Sequence, residues 1–191
     1  FWSQAQERIA ALPGVAAVVL GDALPPTRVT MINNFNLEDK PTPVGQTEPA
    51  TPWVAVTPKY FDVLGITVLE GRPFHALDNA DAPPVVVVDQ AWAQRFFPNE
   101  SAVGKRFVAG GCTTCPLTTV VGVVTDVKYV GLDDPGSGTV YWAMEQGRKT
   151  FMYFLVRTAI DPVSVLASVR NAIRELDPTL PLSRVTTIDE S

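Results

Sequence analysis

The sequence predicts an α+β fold in two lobes, and three observations carry that prediction. Apolar residues recur at helical spacing near both ends, at Trp2, Ala5, Ile9 and Leu12 and again at Leu166, Val169, Ile173 and Leu176. Between them lie apolar runs of strand length, the densest being the valines at positions 85–88. A helix, a proline-containing turn and a strand occur over Trp2–Leu20 and recur over Pro162–Ile188. That weak symmetry lets both ends pack as one discontinuous lobe, residues 1–50 and 147–191, with residues 51–146 inserted as a second lobe. Such an arrangement also brings the termini near each other.

Taken in order, the first helix ends at Pro13-Gly14, because proline cannot continue the ladder and glycine accepts a left-handed exit. Ser3 or a neighbour is expected to cap its start. Val15–Leu20 reads as a strand closed by Gly21-Asp22, and Val29–Leu37 as a looser one whose alternation slips at Asn33-Asn34. Lys40–Pro52, rich in Pro, Thr and Gly, is the expected linker between lobes.

Thr57 is a good N-cap with Pro58 at the first helical position, Tyr60, Phe61 and Leu64 are expected to face inward, and Gly65 stops the helix. A strand over Ile66–Glu70 then turns out through Gly71-Arg72-Pro73-Phe74. After the valine strand, Asp89 caps a helix that carries Trp92 and Phe96 one turn apart and ends at Pro98.

Val103–Val108 and Thr118–Val124 bracket Gly110-Gly111 and the two cysteines, which predicts a hairpin with a long loop. Val127–Leu132 continues as strand or turn, Asp134–Gly138 is loop, and Thr139–Ala143 is a short strand. Phe151–Arg157, apolar on both alternating faces, is expected to be a central strand. Asp161-Pro162 starts the last helix, Asp177-Pro178 ends it, and Leu180–Ile188 closes with a strand.

At 191 residues, 46% hydrophobic and 18% charged, the chain is globular and long enough to bury roughly 70% of its unfolded surface. A net charge of −5 with no basic block argues against a nucleic-acid partner. No run approaches the roughly 20 apolar residues of a membrane span. The opening on Phe1-Trp2, without an initiator methionine or signal peptide, leads us to expect an excised fragment.

Cys112-Thr113-Thr114-Cys115 is the one obvious chemical signature. A redox CxxC opens a helix, whereas this one follows a Gly-rich turn and leads through Pro116 into a strand. Two cysteines are half of a structural zinc site, and His75, the sole histidine, is distant in sequence. The spacing favours a local disulfide between Cys112 and Cys115, or an incidental thiol pair, over metal or catalysis.

Gly104-Lys105-Arg106 and Gly147–Thr150 lack the upstream glycine of a phosphate loop. Asp126, Asp133, Asp134 and Glu145 fit no calcium-loop spacing, and Asn99-Glu100-Ser101 matches a short glycosylation pattern. No Gly-x-Ser-x-Gly elbow accompanies His75. The residues therefore predict no enzyme, no catalytic or metal-binding residues and no cofactor.

Three ordered blocks carry a resemblance. The first runs from Val56-Thr57-Pro58-Lys59-Tyr60-Phe61 through Gly65-Ile66 into Glu70-Gly71-Arg72-Pro73-Phe74. The second is Val85–Ala91 through Arg95-Phe96-Phe97-Pro98 and Val103-Gly104-Lys105-Arg106-Phe107. The third is Val120-Val121-Gly122-Val123-Val124 to Lys128, then Leu132–Pro135 and Val140-Tyr141, with Asp161-Pro162 and Glu175–Pro181 as a tail. In this order and spacing they resemble the MacB-like periplasmic core domain of ABC-transporter permeases, over nearly the whole chain and most closely from residue 52 on. The Cys112–Cys115 loop lies outside that pattern.

The resemblance implies a non-catalytic domain on the periplasmic face of the inner membrane, held between the first and second transmembrane helices of a permease. The lobe formed from both ends would be porter-like. Its implied partners are the permease's own transmembrane helices, a cytoplasmic ATPase subunit acting through them, a periplasmic adaptor protein and a second permease copy. The implied function is to couple transmembrane-helix motion to a periplasmic partner or substrate. The alternative is a ligand-sensing or substrate-binding module, which needs an apolar pocket with convergent polar groups.

Overall fold

Two aspartates start helices by the same device. The Asp89 carboxylate accepts the backbone N–H of Trp92 and that of Asp161 accepts the N–H of Val163, each satisfying a donor the helix itself leaves open. The computed structural model describes residues 1–25, 31–112, 114–129, 138–147, 151–180 and 185. The chain is a mixed α+β structure with helices α1 (Trp2–Ala10), α2 (Tyr60–Leu64), α3 (Gln90–Phe96) and α4 (Pro162–Leu176). Its strands are β1 (Val15–Gly21), β2 (Ile32–Leu37), β3 (Ala50–Val56), β4 (Val68–Gly71) and β5 (Val85–Asp89). They continue with β6 (Arg106–Ala109), β7 (Thr118–Val124), β8 (Val140–Ala143) and β9 (Tyr153–Thr158).

Residues divide into two compact units, Phe1–Leu20 with Phe154–Ser191 and Gly21–Tyr153. The division thus falls at Leu20 and Tyr153, not at residues 50 and 146. Pairing explains the difference: β2 hydrogen-bonds to β3 and to β6, so it belongs with the second unit. For the same reason Lys40–Pro52 is no linker between units; it leads from the end of β2 into β3, to which β2 is paired.

The first unit is built on an amphipathic pair of helices. Ala5 and Ile9 of α1 and Val165, Ala172 and Ile173 of α4 are buried. Ile9, Val18 and Ile173 form its core, flanked by Leu12, Val15, Phe154, Val156 and Val169. Gln6 donates its side-chain amide to the Val18 carbonyl at 2.8 Å, and Arg8 meets Glu175 at 3.2 Å on the surface. The start of α1 differs from expectation: Phe1 is the N-cap residue and no side chain caps the helix. Gly14 has φ 84°, and a Cβ there would collide with the Ile160 side chain, so glycine is required where the chain leaves α1. Among the described residues β9 has β1 as its one neighbour, which corrects the reading of a central strand. The strand expected over Leu180–Ile188 falls almost wholly outside the described residues.

In the second unit the strands run β2-β6-β7-β5-β8-β3, and β3 pairs back onto β2. Six strands thus close into a ring, with β4 added to β7. The β5–β7 and β3–β8 pairs are parallel; the others are antiparallel. One face of every ring strand supplies a single core: Phe35, Leu37, Trp53, Val86, Val88, Phe107, Val120 and Val140, with Trp92 and Phe97 packed among them. Alternation places Val87 and Tyr141, which pair in register, on the opposite face. Tyr141 there meets Tyr60 and Phe61, both buried on α2. Burial on both faces accounts for the uninterrupted valines of β5.

Local corrections are small. Thr57 does not cap α2: Lys59 is the N-cap residue, and Thr57 offers its backbone carbonyl to the Tyr60 N–H. Gly65 ends α2 in the left-handed region at φ 68°, as the sequence predicts.

Candidate functional site

Strand β5 delivers Asp89 to the start of α3 in a buried position, 2% exposed. Its carboxylate accepts the Trp92 N–H at 2.9 Å and is also held by donors of Thr139. Burial first, and then the nearby Asp126 charge, push the Asp89 carboxyl up to about 6 against the pull of those donors. Asp126 caps the same helix from outside, accepting the Ala91 N–H at 2.7 Å.

Beside this cap lies a buried tyrosine cluster. Tyr60 and Tyr129 hydroxyls are 3.0 Å apart, and the Tyr141 ring packs against both residues. Burial pushes the Tyr60 phenol up to about 12 and those of Tyr129 and Tyr141 well above their ordinary value. These neutral phenols cement α2, β8 and the segment after β7. They are too buried to meet a substrate.

Several charged side chains are paired. Asp78 accepts a bidentate pair from Arg72 at 2.8 and 2.9 Å. His75 Nδ1 lies 3.4 Å from the same carboxylate, so the single histidine sits beside the Arg72–Asp78 pair. Burial raises the Asp78 carboxyl, but the Arg72 and His75 donors outweigh it and leave the group below its usual value. Lys105 sits between Asp39 at 2.9 Å and Glu100 at 2.7 Å, and Arg106 holds Glu38 through two bonds of 2.7 Å. The Gly104-Lys105-Arg106 segment is thus occupied with carboxylates. Among the described residues no group of three or more His, Cys, Asp or Glu side chains is placed to hold a metal ion.

Cys112 and Cys115 form a disulfide, with Cα atoms 5.7 Å apart, in the loop between β6 and β7. The last β6–β7 pair is Phe107 with Thr118, and Ala109 still pairs with Phe35 of β2. Gly110 donates to the Asn34 carbonyl at 2.8 Å, and beyond it the Cys112 N–H bonds back to Ala109 at 3.2 Å. Sequence spacing brought the cysteines into view. It gave no sign of the tyrosine cluster, whose members are 12 to 81 positions apart; the only hint was an aspartate ending a wholly apolar strand.

No helix among the described residues is long and apolar enough to cross a membrane. A search of curated protein sequences finds no match. In fold, the chain is similar to the crystal structure of the periplasmic region of MacB from Actinobacillus actinomycetemcomitans. That likeness has a TM-score of 0.65 at 17% identity, covering 90% of this chain and 72% of that one. It is likewise similar to the extracellular domain of the noncanonic ABC-type transporter YknZ from Gram-positive bacteria, with a TM-score of 0.64 at 17% identity over 92% and 83% of the two chains. The family model described as the MacB-like periplasmic core domain matches residues 3–176. A match of that extent settles the family: the chain belongs to the MacB-like periplasmic core domains, the extracytoplasmic domains of ABC-transporter permeases.

Proposed function

We propose that this domain is a non-catalytic transmitter, coupling movement of the parent permease's transmembrane helices to a partner or substrate on the extracytoplasmic side. The observation that carries this reading is the composition of the first unit, which joins Phe1–Leu20 to Phe154–Ser191. Within it α1 and α4 share the Ile9–Ile173 core and the Arg8–Glu175 ion pair. Membrane segments joined to either end would therefore act on one packed body rather than on two independent tails. We assign the porter-like role to this unit and the role of the inserted lobe to Gly21–Tyr153. ATP hydrolysis on a cytoplasmic subunit would drive the motion, with a periplasmic adaptor or a second permease copy receiving it.

The test is a distance measurement in the full permease. Spin labels at the exposed positions Ser168 and Gln94 report on one unit each. Transmission requires their distance distribution to shift between the nucleotide-free and vanadate-trapped states. Superimposable distributions in both states would overturn it.

A further inference from the structure

The Cys112–Cys115 bond is badly placed to hold the fold together. It closes a ring of only four residues, and the entropy a disulfide removes from the unfolded chain grows with loop length, so this one constrains less than a long-range bridge would. It also lies past the last ladder contacts of the hairpin: Phe107 pairs with Thr118, and no strand partners Gly111, Cys112, Thr114, Cys115, Pro116 or Leu117. Gly111, at φ 71°, has nothing within 4 Å of where a Cβ would stand, so the chain faces open space just before Cys112. No core residue of the second unit comes from this loop.

The two sulfurs are not equivalent. Cys112 is half-buried, and its N–H is tied to the Ala109 carbonyl at 3.2 Å. Cys115 is exposed, and so are Pro116 and Leu117 after it, the leucine at 38%. Ala109 to Leu117 carries no charged side chain of its own, and the nearest carboxylate, Glu48 beside Gly110, is bonded to Asn34. A short-range bond with an exposed cysteine, outside the strand ladder and the core, has the features of an exchangeable disulfide rather than a structural one.

We propose that Cys112–Cys115 is a thiol-exchange site, whose partner is a dithiol protein of the extracytoplasmic space that attacks at Cys115. In the first step a thiolate of that partner bonds to Cys115 Sγ, and the Cys112–Cys115 bond breaks, leaving Cys112 as a thiolate that takes up a proton. The partner's second thiol then attacks its own sulfur in the mixed disulfide and releases Cys115 as a thiolate, which is protonated in turn. The partner ends as a disulfide and this pair as two thiols, a balanced two-electron transfer. The same steps reversed reoxidise the loop. The exposed Pro116 and Leu117 supply the apolar contact on which a partner would seat. This site is independent of the transmission proposed above, which needs neither sulfur.

The experiment uses the 191-residue chain, oxidised and folded, in a series of glutathione buffers at neutral pH without denaturant. Alkylation and intact mass read the fraction reduced, and circular dichroism reads the fold. The expected result is complete, reversible reduction with an unchanged spectrum. The C112S/C115S double variant is expected to fold with the wild-type circular dichroism spectrum. In the single variants, C112S is expected to form its mixed disulfide with glutathione about tenfold faster than C115S, because access sets the rate at equal chemistry. Reduction only in urea, or loss of strand signal on reduction, would overturn exchange in the native state. Equal rates, or a faster C115S, would overturn attack at Cys115.

Discussion

The Asp89 carboxylate accepts the Trp92 backbone N–H at 2.9 Å, and so ties a buried acid to the largest fully buried side chain of the second unit. The cap has a cost. With its carboxyl pushed up to about 6 by burial, Asp89 binds a proton more tightly in the folded chain than in the unfolded one, where an aspartate titrates near 3.9. Its contribution is therefore fully favourable below about pH 4 and is lost as pH rises through about 6.

Asp89→Asn keeps a capping oxygen and removes the charge. The variant is expected to gain on the wild type as pH rises from 4 to 7, by on the order of 2 kcal/mol at the upper end. Urea unfolding of both proteins at pH 4, 5, 6 and 7 checks this. A constant difference across the range would show that the carboxyl is not the titrating group.

Asp78 should behave in the opposite sense. Its carboxyl is held low by the Arg72 and His75 donors, so its stabilisation is present above the ordinary aspartate range and fades as pH falls through its folded value. Arg72→Ala leaves the nearly buried carboxylate short of its bidentate partner and is expected to destabilise by about 1–3 kcal/mol at pH 7. Arg72→Lys is expected to recover only part of that, because a point charge cannot reproduce the two parallel bonds. Parallel melts at pH 3.5 and 7 would show the gap closing in acid.

For the tyrosine pair, removing one hydroxyl should be worse than its share. Tyr60→Phe strands the Tyr129 hydroxyl in a buried site and is expected to cost about 1–2 kcal/mol. The Y60F/Y129F double variant is expected to cost less than the two singles together. A double-mutant cycle by urea denaturation measures the coupling, and strict additivity would mean the 3.0 Å contact carries no energy.

Two glycines at nearly the same φ should respond differently to alanine. Gly65 at φ 68° stands in open space, so Gly65→Ala meets only the left-handed penalty of about 1–2 kcal/mol. Gly71 at φ 67° packs against the Val121 carbonyl and Gly122, and a Cβ there would overlap them. Gly71→Ala is expected to exceed Gly65→Ala by at least about 1 kcal/mol, through displacement of β4 from β7. Equal midpoint shifts would contradict that steric account.

Much of the fold was legible in the residues themselves. Asp89 and Asp161-Pro162 announced their helices because capping is local chemistry, and Val85–Val88 announced a strand covered on both faces because four valines leave no polar side. Closure of the ring was not legible. It depends on Asn34 meeting Ala50 while Phe35, one residue on, meets Ala109, and no local pattern encodes which edge a strand presents to which neighbour. The slip in alternation at Asn33-Asn34 marks that exchange of partners. Thr57-Pro58 misled because the same residues that open a helix also form the turn before one. At the site level, the cysteine spacing was visible and its surroundings were not.

The closed ring also sets an order of events while the chain is being made. β3 needs β8 as its parallel neighbour, so the second unit cannot be completed until Ala143 is available. The core that Ile9 of α1 and Val18 of β1 begin is completed by Ile173, so α1 must wait for α4. Each structure is thus assembled from distant parts, which slows folding and leaves the apolar face of α1 unattended meanwhile. A route that delivers these residues in sequence order therefore presents α1 long before α4, and places a premium on keeping Trp2, Ala5 and Ile9 from other company.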